Sequence, residues 1–110
     1  MTAPSDGTVL DRLHATILGR RTADPAESYS AKMLKAGRAA IARKVGEESV
    51  ETIIAAVAES PDRLTAESAD LLYHLVLLWA DAGIAPAAIW AELERRRGVS
   101  GIAEKDSRKP

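Results

Sequence analysis

The chain has 110 residues, 46% of them apolar, and a formal net charge of -1. That length fits one small domain, 1–110, and the apolar share can build a core, so a globally disordered chain is excluded. A charge so close to zero argues against a general nucleic-acid binder; the absence of cysteine excludes disulfides and cysteine-based zinc sites and makes a reducing cytoplasm the expected compartment.

The first residues, MTAPSDGTVLDRLHATILGRR, lack the basic start and long apolar run of a signal peptide. Asp6-Gly7-Thr8 instead offers a helix start. Val9, Leu10, Leu13, Ile17 and Leu18 follow at helical spacing until Gly19 or Arg20 closes the segment. A polar loop, RRTADPAES, leads to Ser28 or Ser30 as the cap of a short second helix that weakens at Gly37. From Arg38 to Glu59 the pattern is strongly helical, with Ile41, Val45, Val50, Ile53, Ile54 and Val57 read as core-facing. Gly46 interrupts it at a cost of roughly 1 kcal/mol against Ala, which marks a place for close approach of another helix or a ligand.

Ser60-Pro61-Asp62 is a boundary: a cap, a proline at the first helical position, and an acid at the positive end of the next helix dipole. That helix is predicted from Pro61 to Asp81. Its second half, LLYHLVLLWA, is apolar on nearly every side and therefore expected to be buried. The apolar stretch from Leu71 to Ala80 is interrupted by His74 and falls far short of the roughly 20 residues of a membrane span. Pro86 opens a last helix carrying Ile89, Trp90 and Leu93, and Gly98 stops it. Residues 98–110 read as an irregular, flexible, basic tail. From Arg95 to Pro110 there are six basic and two acidic residues, a net of +4. The expected fold is all-α, a small helical bundle with two long central antiparallel helices. Ala-rich helices bury little area each, so a homodimer is expected to complete the core.

Glu48 and Glu51 are i, i+3 neighbours on one helix, and Glu67 and Asp70 repeat that spacing on the next. Folded back at Ser60-Pro61, and at 1.5 Å per residue, Glu51 lies roughly 13 Å and Glu67 roughly 9 Å from the turn. The four carboxylates can meet across the helix interface. Two like charges 4 Å apart repel by about 4 kcal/mol at an effective dielectric near 20, so either they point apart or a cation lies between them. An all-oxygen set suits a hard ion, and Mg²⁺ is the usual choice beside phosphates. Lys32, Lys35, Arg43 and Lys44 stand nearby in sequence as phosphate contacts. The bland alternative for Glu47 and Glu51, with Arg43 and Lys44 one turn earlier, is an ordinary charged stripe.

EESVE at 47–51 followed by ESAD at 67–70 resembles the E-E-x-x-E … E-x-x-D signature of the all-α nucleoside triphosphate pyrophosphohydrolases, which include MazG-like proteins and dimeric dUTPases. With SYSAKMLKAG, IARKVGEESVE, ADLLYHLVLL and SGIAEKDSRK, residues 8–109 resemble the phosphoribosyl-ATP pyrophosphatase family of histidine biosynthesis. The resemblance implies an α-helical homo-oligomer, most simply a dimer, that hydrolyses phosphoribosyl-ATP to phosphoribosyl-AMP and pyrophosphate with Mg²⁺. By motif position, it implies Glu48, Glu51, Glu67 and Asp70 as metal ligands, Glu47 as a water-orienting carboxylate and Lys44 as a phosphate contact. Many relatives carry lysine where this chain has Ala40, so that contact is either missing or supplied by Arg38 or Arg43.

Other residues have plainer readings. His74 is read as a satisfied core or interface histidine, and Tyr73 as either a subunit contact or a substrate contact. Trp79 and Trp90 are read as core or interface anchors. Ser49 has no neighbouring histidine and serves packing. The acidic signature alone leaves a second substrate class open, a house-cleaning pyrophosphatase for non-standard nucleoside triphosphates. A non-catalytic helical dimerisation module is the alternative from another class. A di-metal oxidase bundle fits less well, because it wants Glu-x-x-His pairs and His74 stands four residues after Asp70.

Overall fold

The structure is a computed structural model and describes residues 6–108; the first five residues of the expected 1–110 unit and the last two of its tail lie outside the described residues. Six helices follow in order: α1 (Thr8–Gly19), α2 (Tyr29–Ala36), α3 (Arg38–Ala58), α4 (Pro61–Ala82), α5 (Pro86–Arg96) and α6 (Gly101–Ser107). Among the described residues there is no strand, so the all-α expectation holds.

The helix ends have local causes. Ser28 Oγ accepts from Ala31 N and starts α2, and Ser60 Oγ accepts from Arg63 N ahead of Pro61 to start α4. Gly37 separates α2 from α3 at φ 102°, and Gly83 closes α4 in the left-handed region at φ 73°. Both are backbone conformations that a side chain would strain. Gly83 N donates to Ala80 O, and Ile84 N to Trp79 O, which satisfies carbonyls left over at the end of α4.

α3 and α4 form the central antiparallel hairpin, the most extensive helix pairing in the chain. Thr52 Oγ1 donates to Glu48 O at 2.7 Å within α3 and to Glu67 O at 3.3 Å on α4, which ties the two helices at mid-height. Arg38 Nε donates to Asp81 Oδ2 at 2.8 Å, which puts the start of α3 beside the end of α4. Ile17, Met33, Ile41, Val76 and Leu77 make the buried core, with α1 and α2 packed over the second half of α4. The rings of Trp79 and Trp90 meet edge to face at 6.2 Å, and Trp90 Nε1 donates to Asp11 Oδ1 at 3.0 Å, joining α5 to α1.

Three expectations need correction. Val50, Ile53, Ile54 and Val57 are exposed on α3, at 55%, 61%, 50% and 82%, because among the described residues no helix covers that face. The second half of α4 is not buried on every side, since Leu72 lies 40% exposed. Residues 98–110 are not an irregular tail throughout: α6 occupies Gly101–Ser107. Ser100 Oγ caps it by accepting from Ala103 N, and buried Glu104 takes bonds from Arg95 Nη2 at 3.0 Å and from Arg108 Nε at 2.5 Å. The basic residues that suggested a loose tail are the ones that clasp it. At Gly46 no atom of another element lies within 4 Å of where a Cβ would stand, so among the described residues nothing uses the close approach expected there.

Candidate functional site

The site is the face where α3 and α4 meet at mid-hairpin. Glu48 on α3 and Glu67 on α4 are buried, at 8% and 6% exposure, and Asp70 one turn further along α4 is exposed. One carboxylate oxygen from each lies within 4.8 Å of the others. Glu51 is not in that group, although its carboxylate acts on both Glu48 and Glu67. The i, i+3 spacing on each helix and the turn at Ser60 place the acids at one height, and the Thr52 bridge holds that register.

The cluster is short of positive charge. Glu48 Oε2 and Glu67 Oε2 are buried with no hydrogen-bond partner among the described residues. Burial, then a hydrogen bond with Glu51, then the charges of Glu51, Asp70 and Glu67 push the Glu48 carboxyl up to about 7. Burial and Glu51 also raise Glu67, against an opposing pull from Arg63. Arg63 Nη2 donates to Glu67 Oε1 at 2.6 Å, which satisfies one oxygen and leaves the other aimed at the cluster. Orphaned buried carboxylate oxygens are costly unless something cationic meets them. The donor set is all oxygen, which fits a hard divalent cation.

The remaining residues singled out in the sequence spread around this point. Lys44 Nζ and Glu47 Oε2 pair at 3.4 Å, half-exposed at the rim, and Glu47 raises the Lys44 ammonium above its ordinary value. Arg43 and Lys32 are exposed on α3 and α2. Lys35 is not brought to the acids. It lines a cavity of about 520 Å³ with Arg21, Thr22 and Asp81, roughly 16 Å along α4 from Asp70. Arg38 pairs with Asp81 at 2.8 Å, at the end of α4 away from the acids. Ser49 Oγ donates to Val45 O at 2.8 Å and has no base beside it.

His74 is satisfied, as expected of a core histidine: its Nδ1 lies 2.8 Å from Asp70 O and its Nε2 2.7 Å from Tyr29 Oη. Arg63, Thr52 and Tyr29 were not picked out from the sequence. For Arg63 a signal was present, since Glu67 follows it at i, i+4 spacing on α4, and Arg63 also reaches Glu59 in the turn. Tyr29 stands 45 residues from His74 and carries no local sign of the contact.

An all-helical chain whose central hairpin gathers carboxylates at one point, two of them with orphaned oxygens, defines a class: helical proteins with an acidic centre suited to a hard cation. Within that class the chain belongs to the phosphoribosyl-ATP pyrophosphohydrolase family, whose model matches residues 10–97. It is 59% identical over 101 residues to a phosphoribosyl-ATP pyrophosphatase of Azospirillum brasilense, covering 92% of this chain and 91% of that protein. It is 54% identical to the protein of that name from Paramagnetospirillum magneticum, over 94% of each chain. For the Caulobacter vibrioides protein of that name the identity is 56%, over 91% of this chain and 92% of the relative.

Proposed function

We propose that the chain hydrolyses phosphoribosyl-ATP to phosphoribosyl-AMP and pyrophosphate, the step of histidine biosynthesis that its relatives are named for, with Mg²⁺ and as a cytoplasmic homodimer. The observation that carries the metal reading is the pair of orphaned buried oxygens, Glu48 Oε2 and Glu67 Oε2, in a chain of this family.

Water adds across the anhydride between the α and β phosphates, and pyrophosphate leaves. Glu48, Glu51, Glu67 and Asp70 would hold the cation. When bound, Mg²⁺ would supply Lewis-acid neutralisation of the substrate's phosphate oxygens. Lys44, at the rim beside Glu47, donates to phosphate oxygens and offsets charge on the leaving group. Arg43 and Lys32 add positive charge around it, whereas Lys35 is reached only by a ligand extended along α4. The half-exposed Glu47 carboxylate orients the attacking water and accepts its proton. Arg63 fixes the Glu67 rotamer through a 2.6 Å bond. No covalent nucleophile takes part. Among the described residues no single helix is long and apolar enough to cross a membrane.

The test is pyrophosphate release from phosphoribosyl-ATP with and without Mg²⁺, with ATP, dUTP and dCTP run beside it. Mg²⁺-dependent release from phosphoribosyl-ATP alone is the expected result. Release from dUTP or dCTP instead would assign a house-cleaning activity to the same acids. No release from any of them by a folded protein would return the carboxylates to a charged surface.

A further inference from the structure

Tyrosine usually buries its ring and lets its hydroxyl reach water. Tyr29 turns its hydroxyl inward instead. Its hydroxyl is held 2.7 Å from Nε2 of His74, which is itself 6% exposed, while the residue as a whole is 43% exposed. The proton positions follow from the partners. Asp70 O can only accept, so His74 Nδ1 carries the proton and donates to it at 2.8 Å. Nε2 is then the acceptor, and the Tyr29 hydroxyl donates inward. The side chain is therefore pinned at its polar end, while the residue keeps 43% of its surface exposed.

The position of that ring matters. Tyr29 opens α2, and Lys44, Glu47 and Glu48 of α3 are the charged groups acting on it. Tyr73, three residues after Asp70 on α4, meets it at a centroid distance of 6.0 Å and a tilt of 40°. His74 meets both rings edge on, at 5.7 Å and 5.4 Å. Three rings thus form a fixed aromatic corner beside the acidic centre. The same histidine that pins Tyr29 also binds the backbone carbonyl of Asp70, which couples the corner to the acids. A rigid aromatic face with its hydroxyl already satisfied has one thing to offer a ligand, a flat apolar surface for a flat π-system.

We propose that Tyr29, flanked by Tyr73, is the platform on which the purine base of the substrate stacks while its phosphates lie at the acidic centre. This rests on the nucleotide reading of the site given above. It makes Tyr29 a specificity residue that separates a nucleotide from a bare polyphosphate.

The test separates base from phosphate by calorimetry on the intact protein in Mg²⁺, with ADP and inorganic pyrophosphate as probes. The wild type should bind ADP more tightly than pyrophosphate. Tyr29→Ala should weaken ADP by about 10-fold or more, leave pyrophosphate unchanged, and raise KM for phosphoribosyl-ATP more than it lowers kcat. Tyr29→Phe, which keeps the ring, should retain most of the ADP affinity. Equal affinities of the wild type for the two probes would overturn the platform. So would equal weakening of both probes by Tyr29→Ala, a loss in Tyr29→Phe as large as in Tyr29→Ala, or dissociation of an oligomer by the substitution. Because ADP binding needs no turnover, a protein that stacks ADP on Tyr29 yet releases no pyrophosphate from phosphoribosyl-ATP would fail the proposed function and keep the platform.

Discussion

Glu48 is the residue that most clearly works against the fold for the sake of the site. Its carboxyl is buried with one oxygen unpartnered, and the folded protein holds it up at about 7 against an ordinary 4.5. A carboxyl raised on folding favours the folded state only while it keeps its proton. Below 4.5 both states are protonated; from there to about 7 the folded state binds more protons, so stability falls as pH rises, and above 7 the full penalty applies. Glu67 is raised in the same direction, and the lowered carboxyls, Glu92 and Glu104, change charge below 4.5, outside this window. Metal-free protein should therefore lose Tm between about pH 5 and pH 8. Added Mg²⁺ should restore it, because a ligand of the folded state stabilises by mass action. A thermal-denaturation series across that range, with chelator and with Mg²⁺, checks both halves. Glu48→Gln removes the charge and keeps the shape. It should raise the metal-free Tm at pH 8 by roughly 4–8 °C, the equivalent of about 1 kcal/mol in a domain of this size. The same variant should lose activity by about 100-fold or more. A variant that is both less stable and fully active would contradict the reading of Glu48 as a metal ligand.

At the scale of the helices, the sequence was most readable where local chemistry sets the outcome. Ser28, Ser60, Pro61 and Gly83 mark helix ends by capping and backbone geometry that depend on neighbours in sequence. The acids were readable for the same reason, since i, i+3 spacing and one hinge suffice to bring Glu48, Glu67 and Asp70 together. Tyr29 and Lys35 were not, because what surrounds them depends on how α2 lies along α4. α6 shows a different failure. Its cap, Ser100, is an ordinary helix start, but Gly98, Gly101 and the net basic charge made the segment read as loose. The charge is the clasp: Arg95 and Arg108 bond the two oxygens of Glu104, and their hydrogen bonds hold its carboxyl below the usual range. A carboxyl lowered on folding stabilises above its ordinary value of 4.5 and stops doing so as pH falls through the folded value. Glu104→Gln should therefore speed amide hydrogen exchange across residues 101–107 at neutral pH and leave α3 and α4 protected. Wild type acidified through that lowered folded value should show the same local loss. Uniform loss of protection along the chain would mean that α6 is part of the core rather than a clasped addition.

At the scale of the molecule, the single chain is larger than a finished one. Its accessible surface is 7695 Å², where a compact monomer of 11.7 kDa would show about 5,900 Å². Its radius of gyration is 16.1 Å, against about 13 Å for a compact chain of this length. Val50, Ile53, Ile54 and Val57 form an apolar strip on α3, on the helix that also carries Glu48 and Glu51. A standard interface takes about 800 Å² from each partner, well within the surplus. The strip lies at helical spacing, so a second copy of the same hairpin can present the same ridge to it. Ile54 also borders the groove lined by Glu51, Glu59, Arg63 and Glu67, so a partner seated on the strip would wall one side of the acidic centre. Placing a charge in the middle of that strip tests the arrangement. Ile53→Asp should turn a dimer into a monomer in equilibrium sedimentation at micromolar concentration. It should also lower the metal-free Tm and weaken Mg²⁺ binding, although Ile53 is not one of the acids that would hold the ion. Val9→Asp, at an apolar position on α1 that is also more than half exposed, should do none of these. If Ile53→Asp and wild type sediment alike as monomers, the strip faces water and the surplus surface needs another explanation. If both sediment as dimers, the interface lies elsewhere on the chain.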